Sequence, residues 1–443
     1  MIQRYLAGTV RPAAALAFAG LLLAGCKKDL EKPYSVVGDD QFPTLLSNSL
    51  TSLATKYAPG EVVPIELQFA QQDAPIQEIR VYQRIEPSPD SAIVQTLPAS
   101  RAAFSRRKFA DTLVVNFIMP SGPNKSRVRF SAQVVSANGL TKTRSVNFRL
   151  AEATPTVRIN SATNVTAPAN GPLVSGDVIR YALVLNENGI NTYPERPAAP
   201  PPPTAVLFNN LDSLVTYVRV GTTTERRFAR QRLPTAGAQT GAATTLNLDL
   251  ALPAGSSGQT VTFRFEAKSR YAGTPNFRAS SATSAPVTLG ATTALAPART
   301  VTLTYTGTTG GDLAAYDLTT FTPVPVAGPA TSKDIAITST ASNAVRLQTL
   351  NPTTGMPTPT PTRFVRLATG GAAAYNNATL NSIRQAYLTA TTANQVTQLD
   401  NVVVGDVLVA RVRGLDQYAI LSVTGINRTS ATDVVVTLAV KAL

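Results

Sequence analysis

The chain of 443 residues contains no histidine and no tryptophan, and Cys26 is its only cysteine. The lack of histidine excludes a Ser-His-Asp triad, a Cys-His pair, and zinc or haem sites with histidine ligands. One cysteine cannot form an internal disulfide, so each domain must be stable through its own hydrophobic core. The lack of tryptophan argues against a sugar-binding site, although tyrosine can replace it in stacking on a sugar ring. Carboxylates, lysine, tyrosine or a serine with lysine remain for catalysis.

Charged residues are scarce as well, at 15% of the chain, and long stretches of helical periodicity are nearly absent. Glycine and proline are plentiful, at 27 and 32 residues, and threonine, valine and alanine recur throughout. This composition is typical of short strands joined by turns. We therefore expect a mainly all-β protein, whose length allows about three domains.

The N-terminal segment has the order of a secretory signal peptide: Arg4 and Arg11, then a short apolar run, then small residues before Cys26. The run is too short for a membrane span, which needs about 20 residues. Its last residues, Leu-Ala-Gly-Cys, resemble a bacterial lipobox, in which the cysteine is lipidated and becomes the mature N-terminus. The resemblance implies a signal peptide over residues 1–25, lipidation at Cys26 and a polar tether over residues 26–42. We expect a lipid-anchored envelope protein in the outer membrane, with surface exposure left open.

A repeated pattern indicates two related domains. Gly60-Glu61 and Gly176-Asp177 each precede a run with apolar residues at every second position. Strict alternation indicates a strand with one face in a core. Several further strand-like runs at short spacing follow in each repeat, as in β-sandwiches. We predict two immunoglobulin-like β-sandwiches without the cysteine pair and tryptophan of antibody domains, over residues 43–152 and 153–292.

The pattern changes from about Pro297 to short strand-like runs. Leu380, Ile383 and Tyr387 fall at helical spacing and indicate one short helix. We predict a β-rich C-terminal domain with this one helix over residues 297–443.

Two runs near the C-terminus carry a family resemblance: residues 404–411 (Val-Gly-Asp-Val-Leu-Val-Ala-Arg) and 416–423 (Asp-Gln-Tyr-Ala-Ile-Leu-Ser-Val). They resemble the C-terminal module of many Bacteroidota lipoproteins and are distantly similar to haem-capturing lipoproteins of the HmuY type. That family binds haem through paired histidines or, in some relatives, methionines. No histidine is available here, so the axial ligands are not transferred. Tyr418 is a haem ligand in principle, and packing against its own hairpin is the alternative.

Positive charge exceeds negative charge, with a net charge of +14. A basic surface attracts anions, which in a cell envelope include acidic polysaccharide, lipid phosphates and extracellular DNA. A merely solubilising surface is the alternative, and no nucleic-acid-binding motif accompanies the charge. The basic residues form three clusters: Arg101, Arg106, Arg107 and Lys108; Lys125, Arg127 and Arg129; and Arg226, Arg227, Arg230 and Arg232.

The acidic residues offer only scattered candidates for catalysis. A glycosidase needs two carboxylates about 5–10 Å apart in one cleft, and the sequence does not show such a pair. The glycine pair Gly370-Gly371 has no phosphate-loop context and is interpreted as a turn. We predict no catalytic, cofactor-binding or metal-binding residues. The acidic candidates are Asp39 with Asp40, Asp212, and Asp312 with Asp317.

These features together predict a non-catalytic binding or scaffolding protein that is attached to the membrane by its N-terminal lipid. Its expected partner is an envelope protein or an acidic glycan, and no specific nucleic acid is expected. One alternative is a lipoprotein that captures a small ligand for an outer-membrane importer. A carboxylate-based enzyme acting on polysaccharide is the third reading. The oligomeric state stays open.

Overall fold

A computed structural model describes residues 43–50, 55–168, 171–193, 202–233, 241–307, 309–339, 344–352, 360–367 and 371–443. Cys26, the predicted signal peptide over residues 1–25 and the tether over residues 26–42 lie outside the described residues. Strands dominate the described part, which confirms the mainly all-β prediction. No helix in this part is long and apolar enough to cross a membrane.

Contacts divide the chain into two compact units. Unit 1 comprises Met1–Leu53, Val63–Phe117 and Val128–Phe148, and unit 2 comprises Ala54–Val62, Ile118–Arg127 and Arg149–Leu443. The predicted domain boundaries at residues 152 and 292–297 stay predictions.

Unit 1 contains two sheets. One has the strand order β1-β3-β7-β6, and the other includes the order β9-β8-β4-β5. The strands of the first are β1 (Thr44–Leu50), β3 (Val62–Ala70), β6 (Ala103–Ser105) and β7 (Ala110–Ile118). Those of the second are β4 (Ile76–Ile85), β5 (Ala92–Pro98), β8 (Arg127–Ser136) and β9 (Thr141–Leu150).

The core of unit 1 lies between these sheets. Alternate residues of β3 are buried, as the alternating pattern predicts. The Phe117 ring of β7 lies 5.3 Å from Phe130 of β8 and 6.3 Å from Phe148 of β9. These ring contacts join the two sheets into a sandwich, and each fully buried ring contributes about 1.5–3 kcal/mol through the hydrophobic effect.

Unit 2 contains a second sandwich. Its smaller sheet has the order β10-β11-β16, and its larger sheet has the order β15-β14-β17-β18, with β19 also paired to β17. Tyr181 of β11 packs 5.7 and 5.2 Å from Phe263 and Phe265 of β17, between the sheets. The strands are β10 (Val157–Asn164), β11 (Val178–Leu185), β14 (Leu211–Val220), β15 (Arg226–Arg232), β16 (Thr244–Ala251), β17 (Thr260–Arg270), β18 (Phe277–Thr283) and β19 (Val287–Thr288).

Two short parallel pairs complete this part of unit 2. β2 (Lys56–Tyr57) pairs with Arg149 and Leu150, and β12 (Gly189–Ile190) pairs with β13 (Val206–Leu207).

The C-terminal part of unit 2 has two further sheets, with the orders β20-β29-β28-β27-β25 and β22-β21-β23-β24-β26. The first contains β20 (Arg299–Tyr305), β25 (Arg363–Arg366), β27 (Val407–Arg411), β28 (Tyr418–Arg428) and β29 (Val434–Ala442). The second contains β21 (Ala315–Asp317), β22 (Thr322–Pro323), β23 (Ile335–Ser339), β24 (Val345–Gln348) and β26 (Gln398–Leu399).

Two helices, α1 (Gly371–Asn376) and α2 (Leu380–Leu388), form a third layer on the first of these sheets. In β27, Leu408 faces the core between the sheets, whereas Val407 and Val409 pack with the helices. Such alternation is the normal consequence of strand geometry. The sheet is therefore covered on both faces.

Helix α2 covers the predicted helix, and a capping box between Thr379 and Ser382 fixes its start. Helix α1 corrects the sequence analysis, which assigned Gly371 to a turn. Gly371 instead begins α1, because the three alanines that follow are the strongest helix formers.

Candidate functional site

The two Gly-acid pairs of the repeat lie in the same kind of four-residue turn, which we call an acid turn. In the first acid turn, Ala58–Glu61, the N–H of Glu61 donates to the carbonyl of Ala58 over 3.1 Å, and the Glu61 carboxylate accepts the N–H of Ala58. In the second, Val174–Asp177, the corresponding distances are 3.1 and 2.8 Å. Gly60 and Gly176 have φ angles of +82° and +91°, which glycine adopts without strain.

A third acid turn, Val403–Asp406, lies immediately before β27. Its two internal hydrogen bonds measure 3.1 and 3.0 Å, and Gly405 has a φ of +96°. In all three turns, two main-chain hydrogen bonds of 2.8–2.9 Å join the turn to one residue of an adjacent segment. The glycine N–H donates to the carbonyl of that residue, and the main-chain carbonyl of the acidic residue accepts its N–H. Those residues are Met119, Leu252 and Val423. This copy was not recognised as a repeat from the sequence, although its Gly-Asp-Val is identical to that of the second acid turn.

The carboxylate of Glu61 in the first acid turn binds a second chain segment of unit 2. It accepts hydrogen bonds from Nδ2 of Asn209 over 3.1 Å and from the N–H of Ala272 over 2.6 Å. The Tyr271 hydroxyl donates to the carbonyl of Pro59 over 3.0 Å. Glu61 is only 3% exposed, so these bonds compensate for the removal of its charge from water.

Asp177 of the second acid turn binds α2 in the same way. Its Oδ1 accepts the Thr166 hydroxyl over 2.8 Å and Nε2 of Gln385 over 2.9 Å. The guanidinium of Arg384, the neighbouring residue in α2, donates to the carbonyl of Thr166. The acid turn thus joins the second sandwich to the helical layer of the C-terminal part.

The strongest cationic feature is β15, which lies at one end of its sheet. Its arginines, Arg226, Arg227, Arg230 and Arg232, are all exposed, and we call them the edge arginines. Arg227, Arg230 and Arg232 lie opposite Tyr217, Val215 and Ser213 of β14. They therefore project from the same face of the sheet.

The acids beside the edge arginines are bound mostly by other cations. Arg264 binds Glu225 at 2.7 Å and Glu266 at 2.8 Å, and Lys268 binds Glu266 at 2.9 Å. Asp212 is shared by Arg230 at 3.4 Å and Arg270 at 3.1 Å. Among the described residues, Arg226, Arg227 and Arg232 form no ion pair, so this strand carries uncompensated positive charge.

The other two predicted basic clusters are partly engaged in structural contacts. Lys108 pairs with Glu66 in unit 1. In unit 2, Nζ of Lys125 donates to the carbonyl of Ala205 over 2.5 Å. Arg106 and Arg107 are exposed beside Lys108 in unit 1.

The acidic candidates Asp312 and Asp317 have different partners in the structure. Asp312 accepts the N–H of Val326 over 2.8 Å, whereas Asp317 and Asp334 both bind Arg413, at 2.9 and 2.8 Å. Asp334 was not recognised because strand spacing does not reveal which loops converge on one arginine. Asp317 and Asp334 are 5% and 0% exposed, which suits a structural ion cluster.

The pKa values of the acids in these clusters are shifted in different directions. Burial acts to raise the pKa of Asp317, but hydrogen bonds from Thr319, Thr320 and Arg413 outweigh it and hold the pKa below its usual value. In Asp334, burial prevails and raises the pKa despite the bonds from Arg413 and Thr362. For Asp212, burial acts to raise the pKa, but the Arg270 and Arg230 guanidiniums outweigh it, so the pKa is lowered. Asp39 and Asp40 lie outside the described residues.

Tyr418 is buried as the packing alternative expects, but it packs against helix α2 and not only against its own hairpin. It is 4% exposed, and its ring lies 5.7 Å from that of Tyr387, with the Arg384 guanidinium 5.3 Å away. Burial raises the pKa of its hydroxyl, which disfavours the ionised form that binds iron. The predicted hairpin itself is present, since β27 and β28 pair antiparallel.

A cavity of about 370 Å³ lies between the helices and this sheet. Its lining is mostly apolar and includes Leu367, Ile383, Ala386, Val409 and Ile420. Its size falls in the range of small-molecule sites, about 300–1,000 Å³.

No family model matches the chain, and no curated protein matches it. Among solved structures, a DUF4466 family protein from Parabacteroides merdae matches over 66% of this chain and 99% of its own, with 13% identity and a TM-score of 0.21. Native alpha-2-macroglobulin of E. coli matches over 90% of this chain and 23% of its own, with 12% identity and a TM-score of 0.18. The elastase-activated form covers 91% and 42%, with 10% identity and a TM-score of 0.19. Similarities this weak define neither a family nor a function for this chain.

Proposed function

We propose that this chain is a lipid-anchored cell-envelope protein with a binding or scaffolding role, and that its edge arginines bind an acidic polysaccharide. The observation that carries the proposal is the exposed strand β15, in which Arg226, Arg227 and Arg232 have no acidic partner among the described residues. Arg227, Arg230 and Arg232 lie in register on one face of the sheet. This arrangement suits a repeating carboxylate polymer, because guanidinium groups bind carboxylates in a bidentate geometry.

A protective role for the edge strand is the competing explanation, since charges on an edge strand also prevent pairing with another chain. The two roles differ in their dependence on the sign of the charge. Reversal of Arg227 and Arg232 to glutamate keeps a charged, protected edge but removes the attraction for anions. Polysaccharide binding is therefore lost only if the positive charge itself is used.

The test is titration of the purified protein with polygalacturonate, with neutral dextran as the control polymer. We expect Arg227→Glu/Arg232→Glu to weaken binding about threefold to thirtyfold, because two exposed charge contacts of about 0.3–1 kcal/mol each are lost. The matched control is Arg106→Glu/Arg107→Glu in unit 1, which changes the net charge equally at exposed arginines. Equal losses in both variants would mean that net charge alone drives binding, as would complete loss of binding at moderate salt.

The membrane anchor is the second part of the proposal and is supported by the lipobox-like end of the signal-peptide pattern at Cys26. Two or more acyl chains hold a protein stably on a bilayer, whereas one chain gives only marginal binding. Cys26→Ser should therefore move the protein from the membrane fraction to the soluble fraction. A mutant that still sediments with membranes would refute the anchor.

Capture of a small apolar ligand is a second candidate function, and the cavity beneath α1 and α2 supports it. Addition of a porphyrin should then produce a new absorbance band, and a fluorescent fatty acid should bind with submicromolar to micromolar affinity. Ala386→Phe would occupy part of the cavity and should weaken that binding. If neither probe binds, the capture role fails for these two ligand classes.

A further inference from the structure

The third acid turn differs from the other two only in what covers it. The first residue of the turn is 0% exposed in the first copy (Ala58) and 1% in the second (Val174), but 57% exposed in the third (Val403). Val404, the next residue, is also 57% exposed. The internal hydrogen bonds are the same in all three, so the difference lies outside the turn.

The glycines show the same contrast. A methyl group added at Gly60 would lie 2.7 Å from the Tyr271 hydroxyl, and one at Gly176 would lie 2.7 Å from Oε1 of Gln385. At Gly405 an added methyl group would meet no described atom within 4 Å. Two copies of the turn are thus in close contact with another folded segment, and the third has open space at the same position.

The two covered copies also define the chemistry of what covers them. Each carboxylate accepts a hydrogen bond from a neutral side-chain amide, Asn209 in the first and Gln385 in the second. The covering segments belong to folded β-rich parts of the chain, not to an extended peptide. Asp406 of the third copy binds Val403 N–H at 3.0 Å and lies 3.5 Å from the Arg366 guanidinium, which leaves acceptor positions open.

We propose that the third acid turn is a docking site for a folded domain of a second, different protein. That domain places an amide donor on Asp406 and an apolar surface on Val403 and Val404. Isolated exposed valines are ordinary on protein surfaces, but Val403 occupies a position that the same turn buries twice elsewhere in this chain, and Val404 lies directly beside it. The interaction is independent of the edge arginines.

The test uses a photoreactive benzoylphenylalanine at Val404 of the full-length chain in its native cells. The control position is Val326, a valine that is 47% exposed in another loop. The crosslinked protein is then identified and purified, and its affinity for the unmodified chain is measured. We expect a defined adduct at Val404 and none at Val326.

Two substitutions then test the chemistry of the contact. Val404→Asp and Asp406→Asn should each weaken the purified complex at least tenfold, and Val326→Asp should change it less than twofold. All three should keep the wild-type melting temperature and polygalacturonate binding. Absence of an adduct at Val404, an adduct with a second copy of this chain, or an affinity unchanged by Val404→Asp would each overturn the proposal.

Discussion

Replacement of Asp177 by alanine should destabilise the protein strongly. Asp177 is 0% exposed and accepts hydrogen bonds from the Val174 N–H, the Thr166 hydroxyl and the Gln385 amide. A hydrogen bond to a charged group contributes about 1.5–3 kcal/mol, and a buried donor left unsatisfied costs a similar amount. Because such losses are not additive, we expect a total of about 3–5 kcal/mol. Asp406→Ala is the matched control, since the same turn there is uncovered.

Differential scanning calorimetry of the full chain measures this difference. At about 2–4 °C per kcal/mol, Asp177→Ala should lower the apparent melting temperature by on the order of 10 °C. Asp406→Ala removes one internal hydrogen bond, as Asp177→Ala also does, and a partly exposed ion pair of 3.5 Å with Arg366, so it should cost about 2 kcal/mol and shift the melting temperature about half as much. Equal shifts for the two variants would refute the conclusion that the second acid turn holds the two parts of unit 2 together.

Three further predictions concern buried charges. Arg413→Met leaves Asp317 and Asp334 buried without their cation and should lower the free energy of unfolding by about 3–5 kcal/mol. Arg346→Met removes an exposed ion pair and should lower it by less than about 1 kcal/mol. Urea denaturation measures both values. Folding lowers the pKa of Asp317, so this residue stabilises the folded state above the ordinary aspartate pKa of about 4, and the stabilisation is lost as the pH falls below it. The same holds for Asp212. The melting temperature should therefore drop between about pH 5 and pH 3, and a flat profile would contradict this. Burial lowers the pKa of Lys56 to about 8, so the folded state favours the neutral form of this side chain. The melting temperature of the wild type, compared with that of Lys56→Met, should therefore rise from about pH 8 to pH 10. If the difference between the two proteins does not change over this range, Lys56 is not buried in this way.

The strands were the most predictable part of the fold, for a physical reason. A strand with one face in a core needs apolar residues at every second position, so β3 and β11 were visible in the sequence. Their preceding glycines were equally informative, because a turn with positive φ favours glycine. Helix α1 was missed since a six-residue helix has too little periodicity to stand out from a loop.

The candidate sites were less predictable because they depend on contacts between distant segments. Asp177 and Gln385 are separated by 208 positions, and no local pattern indicates that they meet. The cluster around Arg413 brings together three distant segments in the same way. The edge arginines were visible as a cluster, but their exposure depends on the position of β15 at the end of its sheet.

The most direct test of the proposed function maps the contact residue by residue. Arginines of the purified protein are modified with phenylglyoxal, with and without polygalacturonate, and peptide mass spectrometry gives the protection of each side chain. We predict that the polysaccharide protects Arg227 and Arg232 of β15 and leaves Arg106 and Arg107 as reactive as before. Equal protection of both sets, or protection of neither, would contradict the assignment of the edge arginines as the binding site.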